Sequence, residues 1–324
     1  MKFSINAYRL ISCIAIGLTA FAAQAQNFPI KPLKFIIPYP PAGIADQFAR
    51  ALADQLSEKL GQSVVPENKP GGSLIIGTDA AAKSPPDGYT MLLGSISSLA
   101  INVGAFKKLP YDPVNDFAPL SLGFYTPLLL VVNPNLPAKN VRDLITYAKA
   151  NPKALSFASI GHGSSVHLAA EIFKSMAGID LQHVPYKGTT VALPDIMSDR
   201  VNIMFDGGAF LPQVRAGKVR LLAVTSPTRL ESLPDTPTLA EAGVPGYEVT
   251  IWFGMVAPAG TPRPIVDRLS REIVGIVRQP AFKAKFAEGG IVTTGSTPEE
   301  FAATIKKDIQ KWPKVLRDAG VQPE

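Results

Sequence analysis

The residues best equipped for chemistry gather in SIGHGSSVHLAAEIF (159–173): Ser159, Ser164 and Ser165 with His162 and His167, set among Gly161 and Gly163. Three chemistries use such groups. Nucleophilic catalysis needs a serine, a histidine and a carboxylate in hydrogen-bond reach, with the serine on a strained elbow. Here the Gly-x-Ser-x-Gly pattern is missing. His167 also follows Ser165 by two residues, a spacing that sends two side chains to different sides of a helix. Metal binding by a helix needs ligands on one face. His162 and His167 are five apart, no His-Glu-x-x-His accompanies them, and His183 is the third and last histidine. Anion binding needs only N–H groups and hydroxyls at the start of a helix, where the first N–H groups have no partner inside it. Gly163, Ser164 and Ser165 supply these, with His167 bracing the loop through hydrogen bonds. A secreted serine hydrolase using Ser165 and His167 stays as the rival reading, and a purely structural loop as a third.

Other loops that follow strands carry similar groups. PYPPAGIAD (38–46) puts Tyr39, Ala42 and Gly43 where a helix begins. Asp46 lies in its first turn, either as a partner of the helix dipole or as an acceptor facing a ligand. SISSLAIN (95–102) offers Ser97 and Ser98, as caps or as donors to a ligand. VNIMFDGG (201–208) ends a strand on Asp206, a polar contact in a cleft or an acceptor for the turn that follows. Tyr39, Phe124, Tyr125 and Trp252 sit near these segments, to wall a ligand or to pack in the core. GGSLIIG (71–77) lacks the Gly-Lys-Ser/Thr ending and the preceding strand of a phosphate loop.

The elements that must position these loops alternate. LKFIIPYP (33–40) reads as a buried strand ending in proline. IADQFARALADQLSEKL (44–60) spaces Phe48, Leu52, Leu56 and Leu60 four apart, an amphipathic helix closed by Gly61. TDAAAKS (78–84) predicts a helix and YTMLLGS (89–95) the next strand. The alternation resumes at LSFASIG (155–161) and continues through LQHVPY (181–186), VNIMFD (201–206) and VRLLAVTS (219–226), with helical spacing between them. Two further helices follow, one on Ile265, Leu269, Ile273 and Ile276, the other on Phe301, Ile305, Ile309 and Trp312. Such an order argues for α/β sheets with parallel strands. TPLLLVVNP (126–134) and TIWFGMVAP (250–258) are expected to be crossings between a discontinuous first domain (26–128 and 250–324) and an inserted second one (129–249). Two lobes joined by two strands leave a cleft, into which loops at strand ends point.

With 46% hydrophobic and 18% charged residues, the 324-residue chain can bury two cores. Lys2 and Arg9, the apolar run 10–22 and Ala23-Gln24-Ala25 predict a secretory signal at 1–25. Cys13, inside it, is the only cysteine, so the mature chain has no thiol chemistry and fits a bacterial periplasm without disulfides. Removing Lys2 and Arg9 takes the net charge from +6 to +4. The basic residues are scattered, which argues against a nucleic-acid surface.

These residues together resemble the Bug family, the periplasmic substrate-binding proteins of tripartite tricarboxylate transporters. The matching segments include PYPPAGIADQFAR, ENKPGG, PPDGYTMLLG, LPYDPVNDFAP, GSSVHLAAEIF, VPYKGT, LPDTPTLAEAGVPGYE and WFGMVAPAGTP, which span nearly all of the mature chain. The resemblance implies a type II periplasmic-binding-protein fold, two α/β domains around a ligand cleft. It implies a small organic carboxylate as ligand, held by N–H groups and hydroxyls, partly through water, without metal, cofactor or catalysis. It also implies transporter subunits in the membrane as partners. A monomer is expected, and a receptor presenting its ligand to a sensor kinase is an alternative. Carried over by position, Ala42 and Gly43 donate from the 39–46 loop, and the 159–167 loop faces them. The sequence departs from the family pattern at Ala42, where a glycine is common, and at Leu74 and Ile75, which stand for glycine and asparagine. Leu74 and Ile75 are expected to favour a ligand with an apolar body.

Overall fold

Local sequence accounts for most elements of the computed structural model, which describes residues 28–287 and 290–324; the signal expected at 1–25 lies outside the described residues. β1 (Leu33–Ile37) is buried at four of its five positions and stops at Pro38, which has no N–H for the ladder. α1 (Ile44–Leu60) buries Phe48, Leu52, Leu56 and Leu60 on one face. It ends on Gly61, whose φ of 67° and bond to the Ser57 carbonyl close the last turn. β2 (Val64–Asn68) is an edge strand that tolerates Pro66. α2 (Ile75–Ala82) begins earlier than its sequence suggests and leads to β3 (Thr90–Ser95), buried throughout. A π-helical turn (Ser97–Ile101) then runs into α3 (Asn102–Ala105).

The long strand β4 (Phe117–Pro127) carries the chain towards the second lobe. That lobe comprises β5 (Leu129–Val132), α4 (Val141–Ala150), β6 (Ser156–Ser159), α5 (Ser165–Ala177), β7 (Gln182–Pro185), α6 (Thr189–Met197), β8 (Ile203–Asp206), α7 (Leu211–Arg215) and β9 (Arg220–Val224). The chain returns as β10 (Thr250–Pro258), followed by α8 (Arg263–Val277), α9 (Pro280–Phe286), β11 (Val292–Thr293) and α10 (Pro298–Asp318).

The strands form two sheets, in the orders β11-β4-β10-β3-β1-β2 and β7-β6-β8-β5-β9. Both are mixed, which corrects the expectation of parallel strands. β1 runs parallel to β2 and β3, and β6 to β7 and β8, because a helix returns the chain between them. β4, β5 and β10 adjoin the passages between the lobes, where no such helix returns the chain, and they pair antiparallel with β3, β8 and β9 or with each other. The second crossing is also corrected. β10 lies wholly in the first sheet, and the return passage is the irregular stretch 225–249 before it.

Thr225 ties the two passages together. Its hydroxyl accepts the Leu128 N–H at 2.6 Å and donates to the Val249 carbonyl at 2.6 Å. Its own N–H donates to the Leu128 carbonyl at 2.9 Å, and its carbonyl accepts the Val249 N–H at 3.0 Å. On the side of the first lobe, Phe253 stacks on Phe124 with ring centres 4.5 Å apart, and Phe48 packs on Phe124 from α1. This aromatic core fixes β4 and β10 against α1, the helix whose first turn reaches the cleft.

Candidate functional site

Three helices begin at one cavity between the lobes. Gly43, Ile44 and Ala45 open α1, Ser165 and Val166 open α5, and Thr189 and Thr190 open α6; all seven line it. Each of these helices is long enough to carry an appreciable dipole, and the first-turn N–H groups of each lack intrahelical partners. The rest of the wall is Tyr39, Pro40, Leu128, Ile160, Asp206, Gly207, Ile251 and Phe253. No lysine, arginine or histidine is among these residues. Any attraction for an anion at this place therefore comes from peptide N–H groups and dipoles, and most of the lining side chains are apolar. The enclosed space is about 40 Å³, room for on the order of three waters, so a larger ligand enters only if the lobes part.

The 159–167 loop is braced from within. Ser164 caps α5, its Oγ accepting the His167 N–H and donating to the Gly161 carbonyl at 2.7 Å. His167 Nδ1 accepts the Gly163 N–H at 3.1 Å, the bracing role expected of it. That bond leaves the ring proton on Nε2. The Ser159 hydroxyl pairs with His183 Nε2 at 2.6 Å, and His183 stacks on His167 at 4.1 Å between ring centres. Burial, with His183 and His162 close by, pushes His167 down to about 3. Burial likewise brings His183 to about 4. Both are neutral at physiological pH. Ser165 bonds across the cleft to Ser97, and its described hydrogen bonds include none to His167.

Of the residues singled out from the sequence, Tyr39, Gly43, Ser165 and Asp206 line the cavity. Tyr39 is anchored by donating its hydroxyl to Ser95 Oγ at 2.8 Å, and burial raises its pKa. The Ala42 N–H is taken by Asp46 Oδ2 at 2.9 Å. Asp46 also accepts from Arg50 and Asn68. Burial opposes its ionisation, but these bonds hold it below the usual carboxylate range. The Ser98 hydroxyl accepts the Ser95 N–H. Ser97, Ser98, Ala42, Asp46, Ser159, Gly163, Ser164 and His167 thus shape and join the loops behind the wall. Gly163 has φ of 68°, and a Cβ on it would lie 2.2 Å from Ala105 Cβ in the first lobe. It is one of the points where one lobe passes close to the other.

Leu74 is buried and Ile75 half-buried, and neither reaches the cavity. The expected source of an apolar lining is corrected: Ile44, Leu128, Ile160, Val166, Ile251 and Phe253 provide it. Phe124 and Trp252 pack elsewhere, Trp252 donating to Asp308. Thr189 and Thr190 escaped the sequence reading, although they follow a strand and open a helix just as Ser165 does.

Asp206 is 1% exposed. Its Oδ2 accepts N–H bonds from Gly208 and Phe210 at 2.8 Å each. Oδ1 has no hydrogen-bond partner. Burial raises the carboxyl to about 6, against the pull of the N–H groups of Phe210, Gly208, Gly207 and Ala209.

A family profile described as the tripartite tricarboxylate transporter family receptor matches residues 48–321. Among curated relatives, Protein BugT of Bordetella pertussis is 36% identical over 323 residues, covering 98% of this chain and 99% of BugT. Among solved structures, that of R. palustris Rpa4515 with adipate superposes with a TM-score of 0.89 at 37% identity, covering 92% of this chain and all of that one. The structure of the periplasmic binding protein BugD gives 0.88 at 34% identity over the same shares.

Proposed function

The chain belongs to the tripartite tricarboxylate transporter receptor family, and on that premise we propose that it captures a small organic carboxylate between its lobes and delivers it to the membrane subunits of such a transporter. Its fold is that of periplasmic solute-binding proteins. In this reading it works in the periplasm as a monomer, its leader removed after Ala25, and it carries out no catalysis. Residues 26–128 with 250–324 form one domain and 129–249 the other, a division supported by the change of sheet at Leu128.

The observation that carries this reading is the convergence of three helix starts on one cavity whose lining includes no cationic side chain. Such a site attracts an anion through N–H groups and dipoles and leaves its body against aliphatic and aromatic walls. The ligand class that fits has an apolar middle, as adipate does in the relative described above. A hydroxylated acid such as malate or citrate would leave its hydroxyl against apolar surface, at a cost of about 1–3 kcal/mol if unpaired.

A thermal-shift screen tests this. Adipate, glutarate, pimelate, malate, citrate, glutamate and benzoate are the probes. The best binder, at 100 times its dissociation constant, should add about 2.7 kcal/mol of stability. No shift with any carboxylate, together with turnover of a simple ester, would sink the receptor reading and favour a hydrolase.

A further inference from the structure

Asp206 poses an electrostatic problem in this cleft. It is nearly fully buried, lines the cavity, and has one oxygen, Oδ1, with no hydrogen-bond partner. Buried carboxylate oxygens are seldom left unpaired, so Oδ1 marks where an incoming group completes the wall. On the reading given under Proposed function that group belongs to an anion. Two carboxylates within hydrogen-bond reach cannot both stay ionised without a counter-charge.

Among the described residues, the shift of Asp206 has burial and backbone N–H groups as its causes and no charged side chain. β5 and β6 carry no titratable residue. On α5, His167 is neutral and bound to Gly163, and Glu171 is paired with Lys174. On α6, Asp195 is held by Tyr186 and Arg200. On α1, Asp46 is held by Arg50 and Asn68. Tyr39 donates to Ser95. None of the residues lining the cavity is cationic.

We propose that Asp206 is protonated in the loaded receptor and donates from Oδ1 to one carboxylate of the ligand, so that the protein takes up an α,ω-dicarboxylate together with one proton. The proton comes from solvent as the ligand enters and returns to solvent on release; no covalent bond to carbon is made or broken. Oδ2 keeps its bonds to Gly208 and Phe210 throughout. The second carboxylate of the ligand, beyond an apolar chain, meets the helix starts. Burial has already moved Asp206 towards the neutral form, which makes this proton easy to gain near neutral pH. An asparagine here could accept the same two N–H groups with its oxygen and place an NH₂ donor where the proposal places the O–H.

Titration calorimetry with adipate, glutarate and pimelate, in buffers of different ionisation enthalpy, counts the protons. Close to one proton should be taken up per ligand at about pH 7, and the Kd should rise about tenfold per pH unit above that. In Asp206→Asn, the dicarboxylate should bind with no proton uptake and no pH slope. Binding to the natural protein without proton uptake, or a pH slope that persists in Asp206→Asn, overturns the proposal and leaves the receptor reading intact. Loss of binding in Asp206→Asn without proton uptake in the natural protein also overturns it, since Asp206 would then accept a donor from the ligand. If the variant does not fold, the proton count and the carbonyl stretch of a protonated carboxyl in ligand-difference infrared spectra of the natural protein decide. Failure of every carboxylate to bind at any pH between about 5 and 8 removes the receptor reading itself, and this proposal with it.

Discussion

Ser97 and Ser165 are joined twice across the cleft: the Ser165 N–H donates to Ser97 Oγ at 3.0 Å, and Ser97 Oγ donates to Ser165 Oγ at 3.1 Å. One residue follows β3 of the first lobe and the other opens α5 of the second. Both are buried, so water does not replace these bonds while the lobes are together.

Ser97→Ala should therefore loosen the closed form. It removes two bonds and leaves the Ser165 N–H without its partner, a cost of about 1–3 kcal/mol confined to closure. The dissociation constant of the best carboxylate should rise about 5- to 150-fold, with thermal stability of the unliganded protein little changed. Calorimetry giving equal affinities for both proteins would show that this pair does not hold the lobes.

Gly188→Ala tests closure by sterics. The φ of Gly188 is 171°, extended backbone open to any residue. A Cβ there would meet Pro40 Cγ at 2.2 Å in the opposite lobe, and a proline ring has little room to yield. The variant should fold normally and bind at least about tenfold more weakly, since a full closing contact is lost. Solution scattering should show a larger radius of gyration with ligand than the natural protein has; identical curves would refute the steric account.

Thr225→Val removes the hydroxyl that serves both crossings and keeps the shape. The Leu128 N–H and the Val249 carbonyl each lose a bond of 2.6 Å in a buried place. The expected loss is about 2–4 kcal/mol of folding stability, read from the midpoint of urea unfolding at constant m-value. A change within about 0.5 kcal/mol would mean that backbone bonds alone secure the passage.

The pH dependence of stability should contain two opposing contributions. The folded pKa of Asp206, about 6, lies above its ordinary value of 3.8, so the native state holds the extra proton in that window and stability falls as pH rises through it. In Asp206→Asn this decline should vanish, leaving the unliganded protein more stable above pH 6 by about 3 kcal/mol. The folded pKa of His167 is depressed to about 3, so its contribution is complete above its ordinary 6.5 and is lost as pH falls. His167→Asn, which keeps an acceptor for the Gly163 N–H, should flatten that acid limb. Denaturation midpoints between about pH 4 and 7 that move the same way in both variants would contradict these assignments.

Much of the site's framework is legible from short stretches of chain. The four-residue spacing of Phe48 to Leu60, the closing Gly61 and the strand stopped by Pro38 all rest on neighbours within one turn or one strand. The rule that site loops follow strands leads to Gly43, Ser165 and Asp206 in the cavity wall. Applied after β7, the same rule would have found Thr189 and Thr190. It could not reach Ile251 and Phe253, which line the cavity from within β10, a strand of the first sheet whose composition is that of any buried strand.

The amino-acid sequence by itself determined the strand–helix alternation around the site loops and the family, because each depends on periodicity, turn chemistry and motifs spanning a few residues; most of β4 and the helix α4 were not read from it. Only the tertiary structure decided which groups are spent and which are left over. Gly163 and Ala42 offer N–H groups on paper, yet His167 and Asp46 take them. Ser97 finds its partner 68 residues away. Asp206 keeps one oxygen unpaired because β8 delivers it to a cleft that the first lobe closes. Hydrogen-bond saturation and burial are properties of surfaces brought together by two crossings of the chain, and no local pattern contains them.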